Sequence, residues 1–133
     1  MTVPPEWEDR NGHVNVQYYL GLYERGGWGM LDKLGFDEQY MAGTMRSIFD
    51  LENHLTYLSE IHVGDTVSTH NRMLSRSDKI FHGMFLIVND TNNELAATVE
   101  YLSLFIDMER RKSTPFPEEM TIEMDKLALQ HAS

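Results

Sequence analysis

The sequence has 133 residues, which matches the size of one domain spanning 1–133 with a single core. Hydrophobic residues make up 41% of the chain and charged residues 24%, so the composition excludes a disordered polar protein. The 11 Lys and Arg against 21 Asp and Glu give a net charge of −10, which disfavours binding to nucleic acid or to an anionic membrane surface.

The first long element is a helix predicted over residues 14–34, after a short entry strand. Its apolar side chains recur at about the 3.6-residue helical period, at Val16, Tyr19, Leu20, Tyr23, Met30, Leu31 and Leu34. The remaining face also carries large apolar residues, at Tyr18, Leu22 and Trp28. We therefore expect a helix that is enclosed on most sides and that ends with Gly35 as its C-cap residue.

Glycines are unusually frequent in this helix, at Gly21, Gly26, Gly27 and Gly29. Each lowers helix stability by roughly 1 kcal/mol relative to alanine. Two explanations are open at this stage: the helix breaks near Gly26, or a missing side chain lets another backbone approach the helix surface. A sheet wrapped around the helix would explain both the glycines and the apolar faces.

Four strands are predicted after the helix, at 46–57, 66–75, 79–88 and 94–108, with short turns between them. Short connections favour antiparallel pairing in sequential order. Residues 80–88 are apolar on both faces apart from His82, which predicts a central strand covered on both sides or a strand at a subunit interface.

The first strand has the alternating pattern of a half-buried strand. One face, predicted to be buried, contains Phe49, Leu51, Leu55 and Tyr57. The other, predicted to face solvent, contains Asp50, Glu52, His54 and Thr56.

Prolines at 115 and 117 end the last strand and precede a short amphipathic helix. Glu118 and Glu119 fall in its first turn, where the helix dipole favours acidic residues. The predicted fold class is therefore α+β, with a curled antiparallel sheet around a long central helix and a short C-terminal helix.

Several classes of chemistry are disfavoured by what the sequence lacks. It contains no cysteine, which excludes disulfides, thiolate nucleophiles and Cys-ligated metals. The acidic, proline-containing start is unlike a signal peptide, and no apolar run approaches the ~20 residues of a membrane span. We expect a cytoplasmic protein without a membrane partner.

The run Asp9-Arg10-Asn11-Gly12-His13-Val14-Asn15 lies directly before the predicted helix. It brings a carboxylate, an imidazole and two amides to a helix N-terminus, where free N–H groups and the dipole can stabilise developing negative charge. The alternative is structural: Asp9 or Asn11 makes an ordinary turn and Asn15 an ordinary N-cap. Spacing alone leaves both interpretations open.

This run, followed by Tyr19-Leu20 and Glu24, resembles the D-x-x-G-H-V-N-x-x-x-Y-L-x-x-x-E signature of hotdog-fold acyl-CoA thioesterases of the 4-hydroxybenzoyl-CoA thioesterase type. The order of predicted elements also resembles that fold along nearly the whole chain. Where many members carry a second Asn, this chain has Val16, so any role of that second amide is not carried over.

A narrower resemblance is to the betainyl-CoA thioesterases of carnitine degradation. It rests on five segments: Val3-Pro4-Pro5-Glu6-Trp7, Asn11-Gly12-His13, Tyr18-Tyr19, Tyr57-Leu58 and Ser113-Thr114-Pro115-Phe116-Pro117. It implies betainyl-CoA as a candidate substrate, whose trimethylammonium group would lie against aromatic faces.

The resemblance implies hydrolysis of an acyl-CoA thioester with Asp9 as general base or nucleophile. His13 and Asn15 would assist it, although His13 could equally be a structural residue of the turn. The substrate-binding residues implied or suggested by position are Asn11, Gly12, Tyr18, Tyr19, Glu24 and Trp28. The expected assembly is a homodimer or homotetramer with the active site between subunits.

Coenzyme A carries phosphates, so a basic cluster is required somewhere on the protein. Arg110, Arg111 and Lys112 form the densest cluster, and a second one comprises Arg72, Arg76 and Lys79, although both sets could be solvated charges at strand ends. The six His residues lack the spacing of a metal site, so neither a metal nor another cofactor is expected.

Two other functions are considered. A hotdog enoyl-CoA hydratase would place its His within a D-x-N-P-x-H turn, whereas here Gly12-His13 follows Asn11 and shifts that His by one position. A non-catalytic acyl-CoA binding module would also be consistent with a single carboxylate.

Overall fold

The computed structural model describes residues 1–132 and contains a curled five-stranded antiparallel sheet, three α-helices and one 3-10 helix, Pro5–Trp7. The helices are α1 (Gln17–Lys33), α2 (Glu38–Thr44) and α3 (Glu118–Ala132). The strands are β1 (Arg46–Tyr57), β2 (Val67–Arg76), β3 (Ile80–Asn89), β4 (Glu94–Asp107) and β5 (Lys112–Ser113). The predicted α+β class with a central and a C-terminal helix is confirmed.

The strand order of the sheet is β1-β4-β3-β2, with the short β5 also paired to β4. Sequential pairing is therefore correct for β2, β3 and β4 but wrong for β1, which pairs with β4. The reason lies in the connection: residues 58–66 separate β1 from β2, which is too long for a tight hairpin, and they carry the chain to the far edge of the sheet.

A β-bulge in β1 reverses the predicted faces in the first half of the strand, whereas Leu55 beyond the bulge packs against the core as predicted. The register shifts between Asp50 and Glu52, so Leu51 is the extra residue. As a result Phe49 is 40% exposed and Leu51 50% exposed. Asp50 instead accepts hydrogen bonds from Tyr23 Oη (2.8 Å) and Ser103 Oγ (2.7 Å), which tie α1, β1 and β4 together.

The helix α1 is continuous through its glycines, so the predicted break near Gly26 is wrong and the close-approach explanation is right at that residue. A Cβ at Gly26 would lie 2.6 Å from the Phe85 ring and 2.9 Å from Thr69 Oγ1. By contrast, a Cβ at Gly29 would meet nothing within 4 Å. Gly26 therefore permits the packing of α1 onto β2 and β3.

The helix is less enclosed than predicted. Val16 is 54% exposed, Leu20 44% and Trp28 40%, so one side of α1 is uncovered in the single chain. The helix ends as predicted: Gly35 has φ +93°, and the N–H of Phe36 donates to the Leu31 carbonyl (2.9 Å).

Three smaller elements differ from the predictions. The sequence reading missed α2, which begins after Asp37, whose side chain accepts a hydrogen bond from the Tyr40 N–H, and it also missed β5. The entry strand is reduced to isolated bridges, Thr2 with Thr66 and Glu8 with Val14. Among residues 1–132, no helix combines the length and hydropathy needed to span a membrane.

The two edge strands of the sheet, β2 and β1, differ in whether other parts of the chain cover them. At β2, the Met73 N–H donates to His131 Nδ1 (2.8 Å), Arg76 pairs with Asp125 (2.8 Å), and the Val67 N–H donates to the Met1 carbonyl. Helix α3 and the N-terminal residues thus cover β2. The outer edge of β1 pairs with no strand among the described residues.

The two contrasting glycines give a matched test of helix packing. Gly26→Ala should lower the free energy of unfolding by about 1–3 kcal/mol, because the methyl group has no space against the buried Phe85. Gly29→Ala should raise it by up to about 1 kcal/mol, because alanine restricts the unfolded chain and nothing obstructs it. Urea denaturation measures both, and equal effects would contradict the packing argument.

His131 should make stability depend on pH. Only its deprotonated Nδ1 can accept the Met73 N–H, and burial, with Arg72 and Lys33, lowers the pKa of His131 below its ordinary value. The unfolded chain therefore takes up the proton first, and this part of the stability is lost as the pH falls below about 6.5.

His131→Ala should cost about 1 kcal/mol at pH 8, the value of one hydrogen bond. The difference from wild type should shrink towards pH 5. His54→Ala, at an exposed position, is the control. A pH-independent difference in unfolding free energy would contradict the role assigned to His131.

Candidate active site

The turn at residues 9–15 is held by backbone hydrogen bonds to two other segments. The Val14 N–H donates to the Ile61 carbonyl and the Asn15 N–H to the Trp7 carbonyl, both at 2.8 Å. Within the turn, the Asp9 N–H donates to the His13 carbonyl (2.9 Å), and Gly12 adopts φ +80°. The positive φ explains why glycine is suited to this position.

The Asp9 carboxylate is fixed by its own turn. Its Oδ1 accepts a hydrogen bond from the Asn11 N–H (2.8 Å), and its Oδ2 lies 3.7 Å from His13 Nδ1. The Asp9 side chain is 15% exposed, so it keeps contact with solvent while its orientation is restricted. His13 Nδ1 also lies 3.2 Å from the Val14 carbonyl, which holds the ring within the turn.

The beginning of α1 directly follows this turn along the chain. Asn15 Oδ1 accepts a hydrogen bond from the Gln17 N–H (3.1 Å), so Asn15 makes the capping contact that its position suggested. The Val16 N–H has no acceptor among the described residues. A free N–H at the positive end of a helix is suited to stabilise an oxyanion.

An open pocket of about 270 Å³ adjoins the beginning of α1. Its lining comprises His13, Val14, Val16, Tyr19, Tyr57, Leu58, Ser59 and Glu60. Asp9 itself is not in this lining and stands behind His13. Within residues 1–132, Ser59 Oγ is the only buried side-chain nitrogen or oxygen without a hydrogen-bond partner, so the pocket offers a polar group that a ligand could satisfy.

Tyr19 connects the pocket to the carboxylate. Burial, followed by the influence of Tyr57, Asp9 and Glu60, raises the pKa of Tyr19 above its ordinary value. Its hydroxyl therefore stays protonated at neutral pH and can donate a hydrogen bond. No Lys or Arg of the described chain lines the pocket.

The turn and the first helical turns thus bring together six of the predicted site residues: Asp9, Asn11, Gly12, His13, Asn15 and Tyr19. Tyr18 lies elsewhere, with its ring stacked on Trp7 at 4.8 Å and its hydroxyl 3.4 Å from the Glu6 carbonyl. Their catalytic and binding roles remain predictions.

Glu24 and Trp28 are also separate from the pocket. Trp28 Nε1 donates to Glu24 Oε1 (3.2 Å), and both line a cleft of about 430 Å³ between α1 and β1. Trp28 is 11 residues beyond Gln17, or about 16 Å along the helix axis. It therefore cannot contact a group held at the helix N-terminus of the same protomer.

The basic cluster Arg110–Lys112 lies at the opposite end of the sheet. It follows Asp107, which pairs with Arg46 at the start of β1, whereas the pocket adjoins Tyr57 at the end of β1. The length of β1 separates the two, roughly 35 Å in one protomer. In the second cluster, Arg76 is already paired with Asp125.

The sequence analysis missed the role of residues 57–60 in lining the pocket. The only hint in the sequence was the polar pair Ser59-Glu60 shortly after the end of a predicted strand. That this loop lies beside the helix follows only from the tertiary structure, in which the Val14 N–H donates to the Ile61 carbonyl. Within residues 1–132, no three His, Asp or Glu side chains are grouped to hold a metal ion.

Comparison with known proteins establishes the family. The model of the thioesterase-like superfamily matches residues 3–123, which is most of the chain. The chain belongs to the thioesterase-like superfamily. The resemblance read from the sequence and the predicted enzyme class, an acyl-CoA thioesterase, are thereby confirmed.

Two curated relatives have betainyl-CoA thioesterase in their names. The betainyl-CoA thioesterase of Pseudomonas aeruginosa is 28% identical over 129 residues, covering 97% of this chain and 81% of that protein. The L-carnitine dehydrogenase/betainyl-CoA thioesterase of Ruegeria pomeroyi is 32% identical over 120 residues, covering 87% of this chain. The aligned part is 23% of that longer protein, so this chain is similar to one portion of it.

A solved structure supports the fold. A Staphylococcus aureus protein solved in complex with CoA has a TM-score of 0.92 at 23% identity, covering 100% of this chain and 84% of that chain. The predicted hotdog fold is confirmed.

Proposed function

We propose that this thioesterase hydrolyses an acyl-CoA thioester by means of Asp9, as a cytoplasmic homodimer, with betainyl-CoA as the candidate substrate. The observation that carries the proposal is the Asp9 carboxylate, fixed by the Asn11 N–H, in the turn that leads into a helix whose Val16 N–H has no acceptor among the described residues. His13 links the two, because its Nδ1 lies 3.7 Å from Asp9 Oδ2 and its side chain lines the same pocket as Val16.

A carboxylate and an oxyanion donor are sufficient for thioester hydrolysis. Attack on the carbonyl develops negative charge on oxygen, which the Val16 N–H and the helix dipole can stabilise. The departing thiolate is a good leaving group and needs little acid assistance. Asp9 can act as general base on water or as a nucleophile that forms a mixed anhydride, which water then hydrolyses.

The relatives support the choice of substrate. Two proteins similar to most of this chain are named betainyl-CoA thioesterases, and a protein with the same fold was solved with CoA bound. Hydrolysis of betainyl-CoA would release betaine and CoA.

The uncovered edge of β1 supports a dimer. Phe49 and Leu51 on β1, Tyr57 at its end and Leu58 after it are 40–54% exposed, whereas α3 and the N-terminal residues cover the opposite edge. A strand edge with exposed apolar residues favours pairing with a second copy about a two-fold axis.

Such a dimer would also supply the missing basic residues. Antiparallel pairing along β1 brings the Arg46 end of one strand beside the Tyr57 end of the other. The partner's turn at 110–112 would then approach the pocket of the first protomer, although the two lie at opposite ends of one sheet. Each active site would combine one protomer's Asp9 with the partner subunit's Arg110, Arg111 and Lys112.

Removing the charge of Asp9 tests the function. Asp9→Asn should reduce thiol release from betainyl-CoA about 10²- to 10⁴-fold, the range for loss of a general base. Asp32→Asn, the same change near the other end of α1, should leave activity unchanged. Thiol release from a panel of acyl-CoA substrates is the measurement, and full activity of Asp9→Asn would contradict the proposal.

A single turnover in water labelled with heavy oxygen distinguishes the two routes. In the nucleophilic route, water that opens the mixed anhydride at the Asp9 carbonyl leaves a former Asp9 oxygen in the first product molecule, which then carries no label, and places the label on Asp9. The general-base route labels the product in the first turnover and leaves Asp9 unlabelled. An unlabelled first product together with labelled Asp9 therefore identifies the nucleophilic route. Binding of an acyl-CoA without turnover, measured by calorimetry, would instead favour a binding module.

A charge near the middle of β1 tests the dimer. Leu51→Asp would place two carboxylates close to the two-fold axis, where like charges oppose pairing. We expect a shift to monomer in analytical ultracentrifugation and at least about a tenfold loss of activity, because each site would lose the partner's cationic residues. Leu129→Asp on α3, which is 76% exposed, is the matched control. An active monomer would rule out the shared site.

A further inference from the structure

The aromatic rings of the pocket form a right-angled corner that thioester hydrolysis by itself does not require. The rings of Tyr19 and Tyr57 lie with their centroids 5.0 Å apart and their planes at 89°. Both line the pocket at the beginning of α1. Tyr57 is 49% exposed and Tyr19 is 4% exposed, so Tyr57 offers most of the aromatic surface to a bound group. Aromatic faces attract organic cations.

The charges around this corner are negative. Glu60 lines the pocket, with its Oε2 3.2 Å from His62 Nε2, and Asp9 lies 3.7 Å from His13, which also lines it. The pKa of Tyr19 is raised mainly by burial and then by Tyr57, with smaller contributions from Asp9 and Glu60, so both carboxylates lie within electrostatic range of the pocket. Since no Lys or Arg of residues 1–132 lines it, the pocket favours a cationic group and disfavours an anionic one.

We propose that the corner formed by Tyr19, Tyr57 and Glu60 is a subsite for a quaternary ammonium group on the acyl chain, and that Tyr57 and Glu60 determine specificity for it. This inference rests on the proposed function. It assigns to the end of β1 a role that the motif around Asp9 does not contain.

The size of the candidate acyl group agrees with this location. In a betainyl group the nitrogen is attached to the carbon next to the thioester carbonyl, so it must lie in the pocket that holds the carbonyl. A carbonyl at the Val16 N–H places the ammonium beside Tyr19, one helical turn further along α1. The cleft at Trp28, about 16 Å along the helix, is too distant to bind it in the same protomer.

The helix dipole alone would repel this cation, which is why the carboxylates matter. The Val16 N–H favours negative charge on the carbonyl oxygen, while Glu60 and Asp9 offset the positive end of the helix at the ammonium. The subsite therefore separates the two charges of the bound substrate. A neutral acyl group of equal shape would be stabilised only by the Val16 N–H at its carbonyl oxygen.

The sharpest test compares two substrates of the same shape, of which only one is charged. Betainyl-CoA and tert-butylacetyl-CoA have the same branched shape, with nitrogen in the first replaced by carbon in the second. Because the ammonium also activates the neighbouring carbonyl, each kcat/KM is divided by the rate constant of uncatalysed hydrolysis of the same substrate. After this correction the wild-type enzyme should prefer betainyl-CoA by about 10- to 100-fold, which corresponds to one cation–π contact together with the nearby carboxylates.

The variants should change this preference selectively. Tyr57→Leu should lower kcat/KM for betainyl-CoA about 5- to 30-fold and leave that for tert-butylacetyl-CoA within about threefold. Tyr57→Phe keeps the ring and should keep the preference.

Glu60→Gln should lower the preference for betainyl-CoA by about two- to fivefold. The effect is small because the Glu60 side chain is 67% exposed, and it should be larger at low salt, where the charge is screened less. Glu123→Gln on α3 changes net charge equally and should change nothing.

The outcomes separate this inference from the proposed function. Hydrolysis of both substrates by the wild type at kcat/KM values that are equal after correction for their uncatalysed rates would overturn the cation subsite and leave the thioesterase assignment intact. An equal loss for both substrates in Tyr57→Leu would show that Tyr57 is only a structural wall and would also overturn it. Absence of thiol release from every acyl-CoA tested would overturn the proposed function and this inference together.

Discussion

The candidate active site depends on the attachment of one turn to two distant parts of the chain. The backbone bonds from Val14 to Ile61 and from Asn15 to Trp7 fix where α1 begins, and all other features of the site are measured from that point. They bring the turn that contains Asp9 to the beginning of the helix and the loop after β1 to the pocket beside it. Because backbone groups make these bonds, many side chains could accompany the same arrangement.

Much of the fold could be predicted from the sequence, because long elements show clear patterns of apolar residues and turns. The period of α1, the turn residues between β2, β3 and β4, and the Gly35 cap were sufficient to predict these elements within a few residues. The pairing of β1 with β4 was not predicted, because strand order depends on packing between elements that are distant in sequence. A single extra residue, Leu51, was enough to reverse the assignment of Asp50, because a strand pattern contains no marker for a bulge.

The site was predictable only in part for a related physical reason. Asp9, Gly12 and His13 are adjacent in sequence, so a motif can reveal them together. Ser59 and Glu60 come to the same pocket through tertiary structure, and nothing local to them indicates it. Conversely, Trp28 shares a helix with Tyr19 but lies about 16 Å from the helix beginning, which shows that proximity in sequence did not ensure proximity in the site.

The location of both chain ends at the β2 edge has a consequence for protein architecture. Residues 1–3 bond to residues 65–67, and His131 contacts the same strand, so the two ends leave the sheet on the side away from β1. A second domain joined at either end would extend from that side without covering the outer edge of β1. This geometry is compatible with the arrangement in which a similar segment forms about a quarter of the longer Ruegeria pomeroyi protein. Tags or fused enzymes could accordingly be attached there while the edge of β1 stays accessible.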